Sequence, residues 1–141
     1  MIITSYRLTV KKKIPYRNRS PYGWWIASYV VRFEGIEEDR SNDKRLCLSW
    51  ENTIILRASS RDQAYAKVKS LARRNYSNVW RLYGTPPQKG RWILEGLTSL
   101  LPIYEKLADG AEVLYREHRR SVKSVKKNVK RRRELESFQD T

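Results

Sequence analysis

Trp24-Trp25-Ile26-Ala27-Ser28-Tyr29-Val30-Val31-Arg32-Phe33 decides the fold class of this chain. Aromatic and β-branched residues fill it, and it is too short for most helices, so it predicts a strand. The cluster Ser20-Pro21-Tyr22-Gly23 before it marks a loop. After it, residues 35–44 are acidic and polar, with Ser41, Asn42 and Asp43, and read as an exposed loop. A second strand follows from Leu48 to Ala58, where Thr53, Ile54, Ile55 and Leu56 supply β-branched and apolar weight. On the N-terminal side, Tyr6, Leu8 and Val10 alternate with Ser5, Arg7 and Thr9, which is again strand periodicity.

Ser60-Arg61-Asp62-Gln63 has the spacing of a capping box, in which serine and glutamine side chains satisfy free backbone amides reciprocally. Ala64, Val68, Leu71 and Ala72 then recur at helical spacing and Tyr65 widens the stripe. Asp62 stands near the positive end of the helix dipole and Arg73-Arg74 near its negative end, predicting a helix over about residues 60–75. Further on, Val79–Tyr83 reads as a short strand, residues 84–90 as a Gly/Pro loop, and Arg91–Tyr104 as extended chain bent at Gly96 and interrupted by Pro102. Asp109-Gly110 is a turn signal, with Glu112–Tyr115 returning as a last strand. The expected fold is α+β: a small antiparallel β-sheet covered by one main α-helix. A basic N-terminal arm (residues 1–23) precedes the core domain (24–117). A basic C-terminal extension (118–141), helical or disordered, follows it.

The charge of +15 is unevenly placed. Residues 1–20 hold six basic residues and no acid, and residues 116–133 hold ten basic residues against Glu117 alone. The stretch 21–115 has 14 basic and 11 acidic residues, so it is nearly balanced. Two cationic ends on a near-neutral body point to a polyanionic partner. The candidate nucleic-acid contacts are Lys11, Lys12, Lys13, Arg17 and Arg19 in the arm. In the extension they are Arg119, Arg120, Lys123, Lys126, Lys127, Lys130, Arg131, Arg132 and Arg133. Trp24 joins them as a ring on which a base can stack, and Trp80 beside Arg81 is a second such ring. Trp25, Trp50 and Trp92 read as core. Val122, Val125 and Val129 fall at helical spacing, but valine alone makes a thin apolar stripe. The basic run lacks the aromatic and leucine face of a membrane-surface helix until Leu135 and Phe138.

Candidate chemistry is sparse. Cys47, between Leu46 and Leu48, reads as a small buried or half-buried hydrophobe, and a single cysteine excludes an internal disulfide. His118 lies in the basic run, and one histidine with one cysteine cannot build a nitrogen–sulfur zinc site. Glu51, Glu95, Glu105 and Glu112 fall on or beside strands, where two can converge as an acid–base pair or serve as partners for Arg57, Arg81 and Arg91. The six glycines form no phosphate cradle. No cofactor is expected. No apolar run is long enough to span a membrane, and the basic start lacks the apolar core of a secretory signal, which makes the cytoplasm the expected location.

Three stretches resemble a bacterial family known as domain of unknown function 4288. They are Trp25-Ile26-Ala27-Ser28, Trp50-Glu51 through Ala58-Ser59 into Gln63-Ala64, and Gly90-Arg91-Trp92 to Glu117. The last includes Gly96-Leu97, Leu101-Pro102-Ile103-Tyr104-Glu105 and Asp109-Gly110-Ala111-Glu112-Val113. The resemblance covers roughly residues 24–117 and implies a small α+β domain, with no activity and no site residues to carry over. The arm and extension lie outside it.

The expected function is therefore a non-enzymatic accessory protein that binds RNA or DNA through the backbone, within a nucleoprotein complex, with little base readout. The alternative is a protein–protein adaptor or an inhibitor or immunity-type protein gripping an acidic protein surface. An enzyme using a carboxylate pair is the third possibility.

Overall fold

The structure is a computed structural model and describes residues 13–140. Lys11, Lys12 and the strand expected around Tyr6, Leu8 and Val10 lie outside the described residues. Four strands, β1 (Trp24–Gly35), β2 (Ser49–Arg57), β3 (Arg81–Tyr83) and β4 (Gln88–Pro102), form one antiparallel sheet in the order β2-β1-β4-β3. One long helix, α1 (Arg61–Asn75), covers it, and a short helix α2 (Val122–Lys127) lies in the C-terminal extension.

Strand β1 is the hub. Its odd-numbered residues Trp25, Ala27, Tyr29 and Val31 are buried with Leu56, Ala58 and the helix residues Ala64, Val68 and Ala72. The indole N–H of Trp25 donates to the Ala58 carbonyl at 3.1 Å, so the buried ring keeps its one polar atom satisfied. The small residues Ala64, Val68 and Ala72 form one row along α1, which lets the helix backbone lie close to the sheet. Tyr65 does not widen this row: one residue on is a turn of about 100° around the axis, and its ring is exposed. The cap forms as expected at Ser60, whose Oγ accepts from the Gln63 amide at 3.1 Å. The reciprocal bond falls one residue earlier, from the Ser59 amide to the Gln63 side chain.

The pairing of β1 with β2 runs without interruption from Trp24 opposite Arg57 to Arg32 opposite Ser49. That of β1 with β4 slips between Ser28 and Tyr29 and again between Val30 and Val31. Thr98 and Glu95 are the extra residues, and Gly96 between them has φ +154°, so the expected bend at Gly96 is a pair of β-bulges.

Several expectations are corrected. Glu112–Tyr115 forms no strand. The chain does turn, with the Ala111 amide donating to the Ala108 carbonyl at 3.0 Å, and it returns beside Leu101–Tyr104. The Glu112 amide goes to the Glu105 carboxylate at 2.6 Å instead of a ladder, and Pro102 offers no donor there. Residues 88–90 of the expected loop belong to β4. Cys47 is exposed, as are Leu46 and Leu48, because all three precede β2 and none reaches the core. Trp50 is about half exposed, its ring tilted on Trp92 with centroids 4.3 Å apart, and only Trp92 packs against the core.

Gly90 is required by close approach. A Cβ there would strike the Phe33 ring and come within 2.8 Å of the Glu34 carbonyl. Gly90→Ala is expected to destabilise the fold by about 1–3 kcal/mol, read as a lowered midpoint in urea unfolding with an unchanged slope.

Candidate nucleic-acid interface

The arm joins the sheet at the end where β1 starts and β4 finishes. A short turn at Tyr16–Asn18 stacks Tyr16 on Tyr104 with centroids 5.7 Å apart, and the Tyr104 hydroxyl donates to the Arg17 carbonyl. The Ser20 hydroxyl reaches the Trp24 carbonyl at 2.7 Å and the Ile103 carbonyl at 3.1 Å. These backbone ties leave the side chains of Lys13, Arg17 and Arg19 exposed. Trp24 is half buried, with the Arg57 guanidinium 5.8 Å from its ring centre.

The extension leaves the returning segment at Tyr115 and Arg116, which lines a cleft on the sheet face opposite α1 together with Ile26, Ser28, Glu51 and Thr53. Beyond it Arg119, Arg120, Lys123, Lys126 and Lys127 are exposed. Helix α2 is six residues long and capped by Ser121, and the valines at 122, 125 and 129 remain exposed. Lys130 pairs with Glu136 and Arg131 with Glu134, each at 3.1 Å. Arg132 lies over Phe138 at 4.8 Å, and Arg131, Arg132, Arg133 and Phe138 line one depression. Among the described residues, Arg119, Arg120, Lys123, Lys126, Lys127, Arg132 and Arg133 have no carboxylate within ion-pair distance.

Four arginines of the body, Arg32, Arg40, Arg45 and Arg91, are placed differently. Arg32 and Glu34 sit two apart on β1 and so share the face opposite α1, while Arg91 stands opposite Glu34 across the β1–β4 ladder. The loop between β1 and β2 folds back over this face and adds Arg40 and Arg45. Glu34 is 3% exposed. Its Oε1 accepts from Arg40 Nε at 2.6 Å and Arg91 Nη2 at 3.0 Å, and its Oε2 accepts from Arg32 Nη1 at 3.2 Å, with Arg45 at 4.0 Å. Arg32 also donates to Glu95 at 2.7 Å, which the bulge aims toward it, and Arg45 to Glu38 at 3.1 Å. Burial raises the Glu34 carboxyl, but hydrogen bonds from Arg40, Arg91 and Arg32 together outweigh it and hold the group down at about 2. Trp80 closes the cluster, with Arg91 4.7 Å and Arg40 5.0 Å from its ring centre, whereas Arg81, its sequence neighbour, is exposed.

A cleft of about 350 Å³ beside Glu34 is lined by Arg32, Arg40 and Arg45 and by as many carboxylates, Glu34, Asp43 and Glu95, with Cys47. That balance makes it a poor phosphate cradle. Of the four glutamates considered as acid–base partners, Glu95 accepts from Arg32, the Glu105 carboxylate meets Glu112 by accepting from its backbone amide, and Glu51 lines the cleft by Thr53. Among the described residues no three His, Cys, Asp or Glu side chains gather to hold a metal, and no helix is long and apolar enough to cross a membrane. Glu34 stands at the edge of the polar loop expected over residues 35–44, so local spacing does not reveal the cluster. The alternation of Arg32 and Glu34 on one strand face was the signal available.

Residues 24–115 match the family model described as "Domain of unknown function (DUF4288)". No curated protein and no solved structure matches the chain.

Breaking the Glu34 cluster leaves several guanidinium groups facing one another without their shared carboxylate. Glu34→Gln is expected to cost about 3–5 kcal/mol at neutral pH. Because the folded carboxyl titrates near 2 against an ordinary value of 4.5, its stabilisation is complete above 4.5 and is lost as pH falls toward 2. Acid titration of unfolding stability should therefore slope in that window for the wild type and be flatter for the variant.

Proposed function

The chain belongs to the DUF4288 family, and we propose that it is a non-enzymatic accessory protein that holds the backbone of RNA or DNA within a nucleoprotein complex. The matched region, 24–115, supplies the folded body, and the arm and extension outside it supply the contacts. Lys11, Lys12, Lys13, Arg17 and Arg19 act from one end, and Arg119, Arg120, Lys123, Lys126, Lys127 and Lys130 through Arg133 from the other. Trp24 adds a ring beside the arm.

One observation carries the reading: ten basic residues crowd into 116–133 with Glu117 as their one acid, and most of them have no carboxylate partner among the described residues, whereas Arg32, Arg40, Arg45 and Arg91 of the body are held by Glu34, Glu38 and Glu95. An unpaired exposed cation gains most when it displaces condensed counterions from phosphate, and that gain carries no base preference. Helix α2 has no buried residue, which leaves its lysines open to a polyanion and supports the same view.

The test is anisotropy of labelled single- and double-stranded oligonucleotides against salt. If about six phosphates are neutralised, the log–log slope is about −5. Arg132→Gln and Arg133→Gln should each make it shallower by about 1, uniformly across sequences. Failure to bind at low salt would favour the acidic-protein partner instead.

A further inference from the structure

Among the described residues strand β2 is an edge, and its open side can be read from the ladder. Leu48 accepts from Phe33 and Ala58 donates to Gly23, each at 2.8 Å, so the even-numbered residues between them turn their backbone groups toward β1. Ser49, Glu51, Thr53, Ile55 and Arg57 therefore turn theirs outward, and the side chains of all five are exposed. The register of β2 is unbroken along its length, so this edge is straight. The other long free edge, β4 beyond its pairing with β3, is interrupted by the bulges at Glu95 and Thr98, a known means of discouraging strand addition.

We propose that β2 pairs antiparallel with β2 of a second copy of this chain, about a two-fold axis beside Ile54. Self-pairing must set outward residues opposite one another, which leaves few registers. In the one centred on Ile54, Glu51 faces Arg57 of the second copy, Arg57 faces its Glu51, and Thr53 and Ile55 face each other. Opposite charges meet twice and no like charges meet. Centring on Thr53 instead leaves Arg57 opposite Ser49 and Glu51 opposite Ile55. The body opposes this contact little, with 14 basic against 11 acidic residues over 21–115. The Arg57 carbonyl already accepts from Lys67 Nζ at 2.8 Å and keeps a second lone pair for the partner amide. Pairing adds main-chain bonds and covers Ile55, which is 49% exposed. The axis stands perpendicular to the joined sheet, so the faces opposite α1 lie on one side of the dimer. Both extensions, rooted at Arg116 beside Glu51 and Thr53, then emerge on that side.

The experiment is sedimentation velocity of the full-length, nuclease-treated chain at about 0.15 M salt, without nucleic acid, so that its result is independent of polyanion binding. A concentration-dependent dimer is expected. Glu51→Arg or Arg57→Glu alone should weaken it roughly tenfold, as two cross-strand pairs turn repulsive, and the double exchange should restore it. Ile55→Pro removes an outward amide that β1 does not use, and should abolish the dimer while circular dichroism and Tm stay close to wild type. A monomer into the high micromolar range, a dimer that survives Ile55→Pro, or a double exchange that fails to restore association would overturn the proposal.

Discussion

A carboxylate buried at Glu34 and shared by Arg40, Arg91 and Arg32 is the constraint on which the rest of the molecule depends. An ion taken out of water costs several kcal/mol, and only close, multiple hydrogen bonds offset that cost. Here they come from three parts of the chain: β1, β4 and the loop between β1 and β2. The cluster therefore fixes the loop on the sheet, fixes the distal ends of β1 and β4 against each other, and holds Trp80 under two guanidinium groups. It also occupies Arg32, Arg40, Arg45 and Arg91, four of the nine arginines of the body. Arg57, Arg61, Arg73, Arg74 and Arg81 have no ion pair among the described residues, but they are spread over a body with 11 acids, whereas the cations of 116–133 are crowded together with Glu117 alone.

The sheet separates these roles in space. Trp24, beside the arm, and Glu34 are ten residues apart on one strand, roughly 33 Å at the rise of an extended chain. One end of the sheet is a self-neutralised polar cluster and the other is the root of the arm. The two faces differ as well. The odd residues of β1 meet α1 in an apolar core, and the even residues Ser28, Arg32 and Glu34 make a polar face, with Ser28 and Thr53 hydroxyls 2.8 Å apart.

Much of this was legible in the residues. Aromatic and β-branched weight marked β1 and β2, and the Ser60 and Gln63 spacing marked the start of α1 to within a residue. Local signals of this kind are strong because backbone sterics and capping act within a few residues. The misses came where distant parts of the chain decide. Glu112 lost its strand to a carboxylate seven residues away. Trp80 found Arg40 and Arg91 and not its neighbour Arg81, because sheet register and a returning loop, absent from local spacing, bring them there. Cys47 and Leu46 read as apolar but fall just outside β2, where one residue of register separates interior from solvent.

Cations of the extension without a carboxylate partner, such as Arg119, Arg120, Arg132 and Arg133, should meet a polyanion, while the arginines around Glu34 are already engaged. The arginine Nε–Hε resonances of the full-length chain, followed by NMR as an oligonucleotide is added, test this contrast most directly. The account predicts that resonances of Arg119, Arg120, Arg132 and Arg133 shift or broaden while those of Arg32, Arg40 and Arg91 stay in place. Movement of the Glu34 partners with a silent extension would contradict it.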